Sequence, residues 1–385
     1  MTQVFLAFLA IEFVDEFVGG AMGAAWPAIR TDLGLTYVQI GLIFSIPALA
    51  GNLVEPALGV LGDVWRRRTL ILGGGALFAA SLALFASSPG FLLLLIALVI
   101  FYPASGAFVT LSQASLMDSA PSRHEQNMAR WTFAGSVGIV LGALVMALAA
   151  SMGLGWRPLF WAFAAMTVLV LAVANGIPLG GVTETGEGRF TSSFRSGAAN
   201  AFGQLRRPWV LRWLVLLQFS DLMLDGLHGY LALYFVDVAR VSPSSAALAV
   251  ATWTGFGLLG DLLLIPLLER VRGLTYLRFS ALANLFLFAG FLLVPGLGPK
   301  LAIVALLGLG NAGWYAVLKA QLYSTMPGQS GTVMAVSSVG NVASALVPLG
   351  IGAAAAAWGL DTAMWLLLAG PVALLLGIPR SKTNV

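Results

Sequence analysis

Asp15 and Glu55 return as Asp221 and Asp261, each 206 residues further along with no gap, and all four interrupt long apolar stretches. The same displacement pairs Thr36 with Ser242, Gly51 with Gly257, Asp63 with Glu269, Arg66 with Arg272, Thr69 with Thr275, Pro89 with Pro295 and Pro121 with Pro327. The chain is an internal duplication, so its fold must set two similar halves side by side with carboxylates in matching positions. Composition names the medium around them. Of 385 residues 59% are hydrophobic and only 9% charged, whereas a soluble domain carries about a quarter charged residues. The solvent is lipid, and in lipid only helices and closed barrels satisfy the backbone.

Apolar runs near the roughly 20 residues that cross a bilayer predict an all-α membrane protein of twelve transmembrane helices in two pseudo-symmetric six-helix bundles. The predicted spans are 3–26, 38–62, 69–87, 90–117, 129–150, 157–177, 209–235, 243–268, 275–294, 300–325, 331–357 and 361–379. The first run lacks the basic start of a cleaved signal and is expected to remain as a helix. Of the 20 basic residues, Arg30, Arg157, Arg240 and Lys300 fall on one side, Lys319 lies within a helix, and the other fifteen share the side of the chain ends. The positive-inside rule then places both termini in the cytoplasm, with the cell (inner) membrane as the expected location. Trp156, Trp161, Trp358 and Trp365 mark the outer helix ends and Trp65, Trp131 and Trp209 the inner ones, as aromatic belts do.

Three segments are expected: 1–178 and 209–385 as the bundles, and 179–208 as a cytoplasmic linker. Within the linker Phe190, Phe194, Ala198, Ala201, Phe202 and Leu205 recur at helical spacing beside arginines, the pattern of an amphipathic helix on a membrane surface. A disordered tether is the alternative.

The buried acids carry the chemistry. Glu12, Asp15 and Glu16 share one face of the first helix, and Gln218, Asp221, Asp225 and His228 form the matching stripe on the seventh. An ionised side chain at mid-bilayer costs about 2.5–3.5 kcal/mol even on the lenient scale. Seven acids (Glu12, Asp15, Glu16, Glu55, Asp221, Asp225 and Asp261) therefore predict a wet cavity rather than a lipid-facing surface. Carboxylates one helical turn apart in low dielectric repel, so such a cluster holds a proton near neutral pH. Its negative excess favours a cation over phosphates or organic acids. His228 is read as a proton relay or a packing histidine. Glu55 and Asp261 either line the cavity or tie neighbouring helices. Trp314 and Tyr315 on the tenth helix are candidates for stacking on a cationic or aromatic solute.

Gly59 to Arg68 reads GVLGDVWRRR between the second and third helices, and it resembles the loop signature of the major facilitator superfamily. Glu269, Arg270, Val271 and Arg272 stand where that family keeps a weaker second copy. Asp118, Pro121 and Arg123, followed by Gln126 and Ala129, resemble its junction between helices four and five. The resemblance implies a secondary transporter with its solute site between the halves. It also implies a cytoplasmic gate at Asp63, Arg66, Arg67, Asp118 and Arg123, with Asp63 facing the start of the eleventh helix. Gly135, Gly138 and Gly142 match part of the glycine series of drug–proton antiporters, but Ala143 follows. Tyr102 stands four residues before Gly106, where those relatives hold an arginine.

Proton-coupled export of small cationic or amphipathic compounds is the leading expectation, by a monomer that binds a small-molecule solute, protons and lipid, but no nucleic acid. Export of a divalent cation is the alternative, since carboxylates are hard oxygen ligands. A membrane-embedded enzyme would need a nucleophile–base pair or metal triad, and none is spaced for it. Neither a cofactor nor a resident metal is expected, and without cysteine there is no thiolate chemistry.

Overall fold

The computed structural model describes residues 2–64, 67–119, 124–177, 203–325 and 330–379. Among the described residues every regular element is helical. In the first half, α1 spans Thr2–Leu33 and α2 Tyr37–Val64. Next come α3 at Arg67–Ala86, α5 at His124–Ser151 and α6 at Trp156–Asn175. Between α3 and α5, α4 runs from Phe91–Ser105 through a π-helical turn at Gly106–Thr110 into Leu111–Ser119.

The second half repeats this order. α7 comprises Pro208–Asp221, a π-helical turn at Leu222–Gly226 and Leu227–Asp237. α8 is Pro243–Leu268 and α9 Gly273–Leu293. α10 is broken between Leu297–Asn311 and Trp314–Ser324, and α11 between Ser330–Ser344 and Val347–Trp358. α12 joins Leu360–Ala363, a 3₁₀ turn at Met364–Leu368 and Ala369–Gly377. Ten of these helices are apolar enough over their length to cross a membrane. α1 and α7 fall short on composition because they carry the polar stripes. Residues 178–202, where the linker's amphipathic helix is expected, lie outside the described residues.

Packing repeats along with sequence. α1 lies along α5, and α7 contacts α11 in the second half; α2 packs on α4 as α8 packs on α10. One contact shows the register: Gly51 meets the Tyr102 side chain and Gly257 meets Gly308, both partners displaced by the same 206 residues. On α5, a side chain at Gly138 would lie 2.7 Å from the Phe13 carbonyl, and one at Gly142 would run into Phe17. The glycine series therefore lets α1 and α5 approach closely, as small residues do in membranes.

Large apolar residues such as Leu169, Leu263, Phe286 and Leu376 remain exposed on the outside of the bundles, the side that lipid covers. Trp161, Trp209, Trp358 and Trp365 are exposed as belt residues should be, whereas Trp131 and Trp156 are buried. Trp156 turns inward because its indole N–H donates to Asp32. α1 continues past its predicted end at residue 26 because Arg30 and Asp32 both find partners there.

Candidate functional site

A cavity of about 900 Å³ lies between the halves. α1, α2, α4 and α5 line it from one side, and α7, α10 and α11 from the other. Five carboxylates face it: Asp15, Glu16 and Glu55 from the first half, Asp221 and Asp225 from the second. Among the described residues, none of those lining it is a lysine or arginine. The apolar part of the wall mixes aliphatic side chains with the aromatic rings of Trp26, Phe44, Phe101, Tyr102, Tyr230 and Tyr315.

Local structure explains how each acid is aimed. Asp15 and Glu16 project from α1 where Gly19 and Gly23 expose its face to the cavity. Ser105 Oγ donates to Asp15 Oδ1 at 2.8 Å. Asp225 sits inside the α7 π-helical turn, whose extra residue widens the helix and turns that side chain into the open space. The neighbouring Met223 carbonyl accepts from Asn311 Nδ2 at 3.0 Å, which steadies the turn. Glu55 accepts from Thr110 Oγ1 at 3.2 Å. The His228 ring lies tilted against Trp253, with ring centroids 5.5 Å apart, and its Nε2 occupies the space that a side chain on Gly23 would fill.

The remaining candidates lie elsewhere. Glu12 is buried with its carboxylate against Gly135 of α5, outside the cavity lining. Asp261 accepts the Gly313 N–H at 3.0 Å and is not a lining residue. Trp314 is fully buried and its indole donates to Ser280 at 2.9 Å, while its neighbour Tyr315 does reach the cavity. Lys319 donates to Ser337 at 2.7 Å and stands over the Tyr315 ring. Of the gate candidates, Arg67 is buried at the start of α3. Arg66 and Arg123 lie outside the described residues, as do the side chains of Asp63 and Asp118.

A polar cluster without any signature in the sequence pattern joins the halves at one end of the cavity. Arg30 Nη1 donates to Asp237 Oδ2 at 2.8 Å, Tyr37 donates to the same oxygen at 2.6 Å, and the guanidinium lies over the Tyr37 ring. Beside it Ser45 accepts from the Leu349 N–H at 2.9 Å, and Gly41 packs against Gly352. Bonds between residues about 200 apart leave no periodic trace; only the placement of Arg30 and Asp237 at helix ends of opposite halves could have suggested them.

The model of the Major Facilitator Superfamily matches residues 8–348. The chain belongs to this superfamily. It is a multi-pass membrane transporter rather than an enzyme, with the twelve-helix, two-domain arrangement of that fold. It is 24% identical over 285 residues to the quinolone resistance protein NorA of Staphylococcus aureus (strain MSSA476), covering 73% of this chain and 69% of that protein. It is 27% identical over 168 residues to a chloramphenicol resistance protein of Streptomyces lividans, where the match spans only 42% of each protein. Among solved structures, the nucleoside transporter NupG superposes with a TM-score of 0.77 at 12% identity, covering 97% of this chain and 98% of that one. A D-xylose–proton symporter gives 0.74 at 13% identity, covering 99% and 98%. At such identities the likeness to these structures shows the fold alone.

Proposed function

We propose that this protein exports small cationic or amphipathic compounds in exchange for protons, as a monomer of the cell membrane working by alternating access. One observation carries the reading: five carboxylates share a single cavity between the halves, and among the described residues none of those lining it is a lysine or arginine. In such a site a cation is attracted and a proton is the natural occupant when the cation is absent. The aromatic wall adds apolar area and π faces, which suit an amphipathic cation. The resistance proteins among the relatives support export. Asp15 and Asp221 are the central pair, with Glu16, Asp225 and His228 beside them.

The latch at Arg30, Tyr37 and Asp237 closes the end that the basic-residue bias assigns to the outside. The described state is on this reading open towards the cytoplasm, and the loop residues Asp63, Arg66, Arg67, Asp118 and Arg123 form the opposite gate. Export of a divalent cation finds less support, since among the described residues no three His, Asp or Glu side chains converge to hold a metal.

Competition binding on the purified protein tests the reading, with tetraphenylphosphonium as the labelled ligand and a nucleoside, D-xylose and Mg²⁺ as competitors. Organic cations should displace the label, and more weakly as pH falls. Displacement by the neutral solutes with no effect of other cations would overturn it.

A further inference from the structure

Each half carries one interrupted helix that the duplication relates to the other. α4 widens into its π-helical turn at Gly106–Thr110, and α10 breaks at Ala312 and Gly313, the positions 206 residues beyond Gly106 and Ala107. The break in α10 has the dihedrals of a type II turn: Ala312 at φ −52, ψ 137 and Gly313 at φ 68, ψ 1. Its second position lies in the left-handed region, which glycine enters without steric cost.

Both interruptions are held the same way. The residue just before each is polar and bonds to the first helix of its own half. Ser105 donates to Asp15 on α1, and its counterpart Asn311 donates to the Met223 carbonyl on α7. At the interruption itself the duplicated acid of the second helix accepts a hydrogen bond. Glu55 on α2 accepts from Thr110 at 3.2 Å, and Asp261 on α8 accepts the Gly313 N–H at 3.0 Å. That N–H would bond the Leu309 carbonyl in an unbroken helix, and in lipid it needs a substitute acceptor. Tyr276 completes the α10 site by donating to the Ala312 carbonyl at 2.8 Å.

We propose that Glu55 and Asp261 are positioning residues that set the angle of two hinges. About these hinges Leu111–Ser119 and Trp314–Ser324 swing as one end of the cavity opens and closes. A helix bends most readily where its i to i−4 ladder is already broken, as at a π turn or a glycine turn. Only the first hinge is exposed to cargo: Glu55 lines the cavity and Asp261 does not. A solute that reaches Glu55 therefore competes with Thr110 for the carboxylate and loosens α4, while α10 follows through its contacts with α7. The proposal rests on the transporter fold and not on the charge of the solute.

Spin-label distances in nanodiscs, without solute, test it in this cysteine-free chain. Labels on Leu306→Cys and Tyr323→Cys bracket the α10 hinge, and labels on Ile96→Cys and Ala114→Cys the α4 hinge. Both pairs lie about 25–27 Å apart at 1.5 Å per residue. Asp261→Ala should broaden or shift the α10 distribution and leave α4 alone. Glu55→Ala should do the reverse, and Thr110→Val should repeat it by removing the same bond from the other partner. Glu55→Gln and Asp261→Asn keep an acceptor oxygen and should match the parent. Unchanged distributions in the alanine and valine variants overturn the proposal, as do shifts of both pairs in every variant. A failed competition experiment with organic cations leaves these distances unaffected, so the two readings fail separately.

Discussion

Asp15 and Asp221 are equivalent by duplication but not by environment. Asp15 is anchored by Ser105, whereas Asp221 lies at the mouth of the α7 π-helical turn, one turn from Asp225. Coupling needs a group that gives up its proton when solute binds and regains it afterwards. An amide mimics the neutral acid permanently, so Asp15→Asn or Asp221→Asn should abolish proton-driven accumulation in vesicles while solute exchange continues. Full accumulation by both variants would move the coupling role to Glu16 or Asp225. Gly23 offers a steric counterpart. A methyl group there meets the His228 imidazole, so Gly23→Ala should lower transport at least about tenfold, a displacement worth roughly 1.4 kcal/mol. Gly73→Ala, where a methyl group meets nothing, should transport normally in the same assay.

Helices were legible in the sequence to different depths. Their number, order and polar faces follow from apolar run lengths and from the 206-residue repeat. The interruptions of α4 and α10 do not, because glycines that break a helix and glycines that let helices touch look alike in a single chain. Gly138 is of the second kind and Gly313 of the first. Trp314 shows the same limit: aromatic spacing did not separate a ring in the core from a ring in the cavity, and Tyr315 next to it took the exposed position. The latch across α1, α2 and α7 was invisible for another reason, since its partners share no local pattern. It makes a quantitative prediction. The Arg30–Asp237 pair is about a quarter exposed, so its coupling should be roughly 1 kcal/mol, or about a fivefold change in the ratio of the two end states. A double-mutant cycle of Arg30→Gln and Asp237→Asn, read by accessibility of the cavity from each side, measures it. Coupling near zero would leave closure of this end to the Ser45–Leu349 hydrogen bond and the Gly41–Gly352 contact.

As a whole, the molecule is two similar halves that meet along α1 and α7, α2 and α11, and α5 and α8. A rocking transporter must break the contacts at one end before those at the other can form. At the latched end the backbones of the two halves approach closely, where Gly352 faces Gly41 and the Tyr37 carbonyl. No side chain fits there, so Gly352→Leu should hold that end open, with the cavity reachable from that side and transport lost. Which side that is follows from orientation, and in the orientation proposed from the basic residues it is the outside. Ser87 directly follows α3 on the latched side, and Ser324 ends α10 on the other; both are exposed. In intact cells a membrane-impermeant maleimide should label Ser87→Cys and spare Ser324→Cys until the cells are opened. The reverse pattern would invert the protein in the membrane and turn the described state into one open to the outside. The same reagent on a Gly352→Leu background then reads the cavity itself. A cysteine at Asn52, which lines the cavity, should become reactive from the outside only when the latch is forced apart. Equal reactivity with and without Gly352→Leu would show that closure of this end does not depend on the glycine contact.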